Sequence, residues 1–457
     1  MVKTGKAMKV LLVFAGIAET GFNRSGSRKK LVWINHGLAS IAACAKKAGH
    51  EVSFIDLRQL ASWDEFKDLV KTAAPQAAGL TMMSVDYGPV MQAIKVIKSV
   101  DKDIKTVVGG PHPNLAPEEV KASSDIDHVV LGEGEISFVQ LLNDIESGNP
   151  VDRIIHGVKP DLDQLPFADR EIFGSGEMPI DHFLRIPFVT IIAGRGCIYN
   201  CSFCQPAERS IFGSRVRRRS VKNVIDELKS LREKYKFQSL LIHDDCLTEN
   251  RQWVMGFCDE YRRNGFKQPF VCQSRADIIC KNEDMVRMMA RTGLAMFLIG
   301  FESGNQRVLN FLRKGTKVEQ NYKAADICRK YGIRVWANYM LGIPTETKEE
   351  ALDTLNMIKK IKPYRASPAF FTPHPGSDLY KYCEENGLSL VKDHSAYSRS
   401  PDSPKIKGLD YVFLKRVLEE SMRVPLSVKI RRKIDHTIER KIKKHVIKFK
   451  KRLGFGV

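Results

Sequence analysis

The stretch AGRGCIYNCSFCQ, residues 193–205, follows directly on the apolar run FVTIIAG (188–194) and places Cys197, Cys201 and Cys204 within one short loop. The spacing is C-x-x-x-C-x-x-C. A structural zinc site closes with four ligands. Three thiolates leave a metal centre one position free, and they can hold three corners of a cubane iron–sulfur cluster. Gly194 and Gly196 permit the tight backbone turning such a loop needs. A buried run followed by a ligand loop is also the grammar of a β/α unit, whose chemistry sits at the C-terminal ends of its strands.

Working outward from this loop, the alternation of strand and helix continues. Helix-patterned VKNVIDELKSLREKY is followed by SLLIHDD, FVCQSR, MFLIGFES, VWANYMLGIP and ASPAFFTPHPG, with helix patterns between them. Residues 187–390 therefore predict six strands with crossover helices, a (β/α)6 barrel that is closed or partial. The polar and Gly/Pro segments HDD, QSRAD, GFESG, GIPTE and TPHPGS all fall at strand ends, which points to one shared mouth.

Upstream, MKVLLVF (8–14) reads as a buried parallel strand. It leads a second alternation through HEVSFIDL, AAGLTMMSV (77–85), KTVVGG (105–110) and DHVVLGEGE. Residues 8–150 predict a Rossmann-like, doubly wound sheet. No G-x-G-x-x-G follows its first strand, which argues against a dinucleotide. Residues 151–186, with several Pro and Gly, read as a linker, and 391–457 as a C-terminal helical region ending in a basic tail.

Composition sets wider bounds. With 457 residues, 43% hydrophobic and 28% charged, the chain is a multidomain globular protein. It shows neither a secretory signal nor an apolar run of membrane-spanning length. Ten cysteines in such a chain make no disulfide scaffold, so a reducing cytoplasm is expected. The net charge of +20 invites a nucleic-acid reading, but residues 425–457 carry twelve Lys/Arg against two Asp/Glu, which is half the excess. No RNA- or DNA-binding module accompanies it, so a nucleic-acid-binding protein with a structural cluster is the alternative of another class. In the tail, Ile430, Ile434, Ile438, Ile442 and Val446 recur every four residues among basic ones. That is an amphipathic basic helix, suited either to an anionic membrane surface or to packing with a solvated basic face.

The cysteine loop at the end of the first barrel strand resembles that of the radical S-adenosylmethionine (radical SAM) superfamily. The resemblance implies a [4Fe–4S] cluster on Cys197, Cys201 and Cys204. Its free iron takes the amino and carboxylate groups of S-adenosyl-L-methionine, and cleavage gives a 5′-deoxyadenosyl radical. It places Phe203 against the adenine, Asp244 and Asp245 at the amino group in place of the commoner Gly-Gly-Glu, and Arg275 at the carboxylate. Glu302 or Ser303, in GFESGNQRVLNFLRKG, would take the ribose hydroxyls. The remaining cysteines are read as core residues.

The N-terminal domain resembles the cobalamin-binding domains that precede such barrels in class B radical SAM methylases and their relatives. LTMMS supplies Thr81 and Met83, VVGGPHPN supplies Gly109 and Gly110, and LGEGE completes the likeness. The glycines would let cobalamin's nucleotide tail pass close to backbone. The D-x-H-x-x-G histidine that binds cobalt from below has no counterpart in AGIAETGFNRSG (15–26). His36 is too far along, and His112 sits at the Gly-Gly turn. The resemblance therefore implies base-off cobalamin without a protein histidine. Methylthiotransferases carry three further N-terminal cysteines, whereas this domain has only Cys44.

Taken together, the resemblance implies methylation of an unactivated carbon, with oxidative cyclisation or rearrangement as the alternative. It also implies a small-molecule or lipid-linked substrate and an electron donor such as flavodoxin or ferredoxin. Tyr339, His374 and Asp378 are expected to line the substrate pocket.

Overall fold

The computed structural model describes residues 7–17, 22, 34–174, 187–204, 207–398, 403–423, 425–430 and 432–433. The N-terminal sheet is built from β1 (Lys9–Phe14), β2 (Glu51–Asp56), β3 (Ala77–Thr81), β4 (Lys105–Gly109), β5 (His128–Leu131) and β6 (Ile154–His156). All pairings are parallel, in the order β2-β1-β3-β4-β5-β6. Alternation along β1 divides the core. Leu11 and Val13 pack with Phe66, Val70, Val90 and Ile94 on one face, while Val10 and Leu12 pack with Leu38, Ala42, Phe138 and Leu141 on the other. Burial on both faces is what a near-continuous apolar strand requires.

The helix after β1, His36–Ala48, is set at both ends by its sequence. The Asn35 side chain accepts the Leu38 amide, and Gly49 takes a left-handed φ of 102° that only glycine adopts readily. Because the order reverses between β1 and β3, the crevice at their C-terminal ends is a topological switch point, the usual ligand position in such sheets.

The sixth strand, β6, lies inside the span 151–186 that reads as a linker. Only three residues long, it pairs Val129↔Ile154 and Leu131↔His156. Its apolar pair is too short to show a period between Pro150 and Gly157.

The second sheet contains β7 (Phe188–Ile191), then, after a two-stranded hairpin of β8 (Gly194–Arg195) and β9 (Arg217–Arg218), β10 (Ser239–Ile242), β11 (Phe270–Ser274), β12 (Leu294–Glu302), β13 (Arg334–Leu341) and β14 (Arg365–Phe370). The order is β14-β13-β12-β11-β10-β7, all parallel. β7 and β14 do not pair with one another, so among the described residues the barrel is open rather than closed. Its strands pack outward on crossover helices such as Val221–Tyr235 and Arg251–Arg263. Leu241, Val271 and Met296 form a smaller apolar cluster with Tyr364.

Beyond the barrel, helix Tyr411–Ser421 buries Leu414, Val417 and Leu418 against Leu341, Leu355 and Phe370. The helix expected through Ile434, Ile438, Ile442 and Val446 lies outside the described residues, as do residues 18–21 and 23–26 of the loop after β1.

Candidate functional site

Between the two sheets lies a cavity of about 600 Å³. One wall comes from the C-terminal ends of β3 and β4 and the turn after β5: Thr81, Met83, Gly109, Gly110 and Gly132 all line it. The facing wall comes from the barrel, with Gly194, Arg195, His243 and Asp245. The structure thus brings the four N-terminal candidates together and sets the root of the cysteine loop opposite them.

The two adjacent glycines have different reasons to be glycine. Gly110 has φ +100°, and a Cβ there would stand 2.7 Å from Thr81 Oγ1 and 3.0 Å from the Met82 nitrogen. Its own backbone and the neighbouring strand demand it. At Gly109 a Cβ would meet only Val130, with its carbonyl oxygen at 3.6 Å, an ordinary contact. Protein packing does not require glycine at 109, whereas a ligand lying close against the strand end would.

The cysteine loop is pinned by its middle. Ser202 donates its amide to the Leu312 carbonyl (2.9 Å) and its hydroxyl to the Phe311 carbonyl (3.0 Å), and its own carbonyl accepts the Leu379 amide. Nothing in the spacing of the cysteines marks Ser202. None of the three cysteines is in a disulfide; Cys204 is exposed and the other two are half-buried. Arg275 Nη1 stands 3.9 Å from Cys201 Sγ, with its guanidinium 3.5 Å above the Tyr199 ring. Next to it, Lys314 is salt-bridged to Glu302 at 2.9 Å. Burial alone would lower the Lys314 pKa, but Glu302 and the Cys201 sulfur hold it above its ordinary value. Two cations therefore stand near the Cys201 sulfur, each also paired with a carboxylate, Arg275 with Asp277 at 3.0 Å and Lys314 with Glu302.

Adjacent candidates separate sharply. Asp244 is buried, accepts the Ala193 amide at 2.7 Å and pairs with Arg218 at 3.1 Å. Burial pushes its carboxyl up to about 6. It ties β10 to the β8–β9 hairpin, and so supports the loop from beneath. Asp245 is exposed and faces the cavity. Glu302 holds a left-handed φ of 63°, a cost of order 1–3 kcal/mol that a packed site can sustain. Ser303 is fully buried and meets Thr354 Oγ1 at 3.1 Å while accepting the Asn305 amide. Of the two, only Glu302 contacts the cationic pair beside the cysteines. Phe203 is partly buried among Val308, Leu312 and Phe371, with Lys314 Nζ 5.9 Å from its ring.

Tyr339 does not reach the barrel interior. It lies on the helix-facing side of β13, and its hydroxyl donates to Ser421 Oγ at 2.5 Å. Residues alternate faces along a strand, and 339 falls with the outward set. Neither His374 nor Asp378 lines the cavity between the sheets. Asp378 forms an ion pair with Arg313.

Two histidines appear where sequence order did not place them. His36 lines the cavity, with Nε2 2.9 Å from Thr190 Oγ1 of β7, and its ring lies 6.0 Å from that of His243. Burial pushes His243 down to about 4 and His36 well below its usual range. Both are neutral donors or acceptors at physiological pH. His112 is turned away into a separate cluster and does not line the cavity.

Residues 28–142 match the B12 binding domain family, and residues 191–358 match the radical SAM superfamily. The chain is 26% identical over 404 residues to an uncharacterized methyltransferase of Pyrococcus horikoshii, covering 84% of this chain and 86% of the relative. It is also 26% identical over 397 residues to an anaerobic magnesium-protoporphyrin IX monomethyl ester cyclase of Rubrivivax gelatinosus, covering 82% and 70%. In fold it is similar to the radical S-adenosylmethionine methyltransferase TsrM of Kitasatospora setae, solved with cobalamin and a [4Fe-4S] cluster bound. That likeness has a TM-score of 0.68 over 90% of this chain and 91% of the other, at 16% identity.

Proposed function

We propose, for a chain that belongs to the radical SAM superfamily and carries a B12-binding domain ahead of its barrel, the activity of a cobalamin-dependent methyltransferase acting on an unactivated carbon. The observation that carries this reading is the cavity of about 600 Å³ between the domains. It is walled by Gly109 and Gly110 on one side and by the root of the cysteine loop on the other. Together, the [4Fe–4S] cluster, S-adenosyl-L-methionine and cobalamin supply a carbon-centred radical and a transferable methyl group.

The residues present suit those groups. Cys197, Cys201 and Cys204 would hold the cluster, with Arg275 and Lys314 balancing thiolate charge. Asp245 would accept from an ammonium, and Glu302 from hydroxyls, each as a charge-assisted hydrogen bond. Thr81, Met83, Gly109 and Gly110 would cradle cobalamin. The chain's own work is to orient these groups and keep water out of the cavity. A small one-electron donor protein of the flavodoxin or ferredoxin kind would serve it.

A test is the composition of protein purified without oxygen. The expected content is four iron, four sulfide and one cobalamin per chain, with Cys201→Ala losing iron and sulfide. Protein that takes up neither iron nor cobalamin would remove the reading. A second reading, oxidative ring formation, is favoured by the similarity to the cyclase. Its signature would be a dehydrogenated or cyclised product lacking an added methyl.

For the substrate, we propose a molecule presented at an anionic membrane surface. No helix among the described residues is long and apolar enough to cross a membrane. Leu426 and Val412 are 72% and 74% exposed, and Met422 and Ile430 are exposed as well. Leu426 and Ile430 lie at the start of the basic tail, Met422 just before it, and Val412 at the start of helix Tyr411–Ser421. Sedimentation with vesicles containing anionic lipid should fall for Leu426→Glu/Ile430→Glu. Equal sedimentation of variant and parent would sink the membrane proposal while leaving the methyltransferase reading intact.

A further inference from the structure

Just past the Gly110 turn, the chain forms two short helical segments, Pro111–Leu115 and Pro117–Lys121, which carry His112 and Glu119. The 3-10 turn His394–Tyr397, which follows the barrel, packs onto the same place. Glu119 then stands between two imidazoles from opposite ends of the fold. Its Oε2 is 3.2 Å from His112 Nε2, and its Oε1 is 3.1 Å from His394 Nε2. One donor atom from each of the three lies within 4.8 Å of the others.

His112 supplies a second observation. It is 1% exposed, and the one polar group at its Nε2 is the Glu119 carboxylate, whose 3.2 Å approach is poorly aligned for a hydrogen bond. The opposite ring nitrogen, Nδ1, is 3.1 Å from Ser84 Oγ. With the proton on Nδ1, that contact fixes the ring and leaves the Nε2 lone pair aimed at the cluster, as in metal-ligating histidines. Tyr87 stacks on His394 at 4.3 Å and meets His112 edge-on at 5.2 Å, so both rings are held in place.

We propose that His112, Glu119 and His394 bind a divalent transition-metal ion, Zn²⁺ by their chemistry, with a fourth position left to water. Two neutral imidazoles and a carboxylate form a borderline-soft donor set that suits zinc. Ligand atoms roughly 2.0–2.2 Å from a tetrahedral ion stand about 3.3–3.6 Å apart, so the three donor atoms, now within 4.8 Å of one another, would draw together as the ion binds. The ion would staple the segment after the barrel to the N-terminal domain. It would also fix the turn that carries Gly109 and Gly110 into the cavity.

The test uses full-length protein already loaded with iron and sulfide, so that Cys197, Cys201 and Cys204 do not capture zinc. After incubation with Zn²⁺ and gel filtration, elemental analysis should find one zinc per chain. His394→Ala and Glu119→Gln should each lose that equivalent while keeping their iron. Added Zn²⁺ should raise the Tm of the parent and leave that of the variants unmoved. Glu119→Gln conserves shape, and so answers the question even where His394→Ala fails to fold. Parent protein that retains no zinc, or a folded variant that retains as much as the parent, would overturn the proposal.

Discussion

Arg195 grips both carboxylates of the LGEGE turn across the domain boundary: Nη1 lies 2.5 Å from Glu133 Oε2 and Nη2 2.5 Å from Glu135 Oε1. Both glutamates are nearly inaccessible, and Arg217 adds a second cation to Glu133. Removing one partner of such a pair strands a buried charge. Arg195→Ala should therefore destabilise the protein by on the order of 3 kcal/mol in urea unfolding. The double variant Arg195→Ala/Glu135→Gln should lose less than the sum of its singles, because the contact is shared. Strict additivity would show that the contact does not couple the domains.

The two glycines of the β4 turn should respond differently. Gly110→Ala forces a Cβ into Thr81 and Met82 at an unfavourable φ, so it should lower stability by about 1–3 kcal/mol and reduce cobalamin occupancy with it. At Gly109 there is room in the protein, so Gly109→Ala should unfold like the parent yet bind cobalamin more weakly. Unchanged cobalamin affinity in Gly109→Ala would place the ligand elsewhere in the cavity.

Asp244 and Asp245, neighbours in sequence, should separate in the same way. Asp245→Asn should act mainly on S-adenosyl-L-methionine binding, because its carboxylate is exposed and faces the cavity. Asp244→Asn should lower the melting temperature, because the Arg218 guanidinium loses the more deeply buried of its two carboxylate partners and keeps only Glu249. Calorimetric titration and thermal melts of both variants check the pair. Equal effects on binding and stability would contradict the assignment.

Much of this was legible in the sequence. The apolar runs marked eleven of the twelve strands of the two main sheets, because buried parallel strands are continuous in hydrophobicity. β6 escaped because three residues carry no period. The cysteine spacing and the Gly-Gly turn announced themselves, since each is a local pattern with a chemical purpose. What sequence could not supply was direction. Asp244 and Asp245 look alike in a string, yet one faces the hairpin and the other the cavity. Tyr339 sits one residue from the inward set of β13. His36, far from β1 in order, reaches the cavity because the helix after the first loop begins there. The Arg195–Glu133–Glu135 contact joins segments about sixty residues apart, a distance no local motif spans.

Glu346, in the GIPTE turn, gives a pH dependence. Burial pushes its carboxyl up to about 7, against the pull of the Gly342 and Ile343 amides that it accepts. A folded pKa above the unfolded one means that the folded state keeps a proton the unfolded chain releases. Stability from this group is thus full below about pH 4.5 and is lost as pH rises toward 7. Glu346→Gln should flatten that slope and gain on the order of 1–3 kcal/mol relative to the parent near neutrality. Parallel stability–pH curves for the two proteins would contradict it.

Whether two cofactor chemistries meet in one cavity can be read without knowing the substrate. Iron–sulfur-loaded protein with cobalamin would be incubated anaerobically with S-adenosyl-L-methionine and a one-electron reductant, and the nucleoside products quantified. The expected products are both 5′-deoxyadenosine and S-adenosylhomocysteine, the first lost in Cys201→Ala and the second lost when cobalamin is withheld. Both products forming at unchanged rates in Cys201→Ala and in cobalamin-free protein, or neither forming at all, would contradict that expectation.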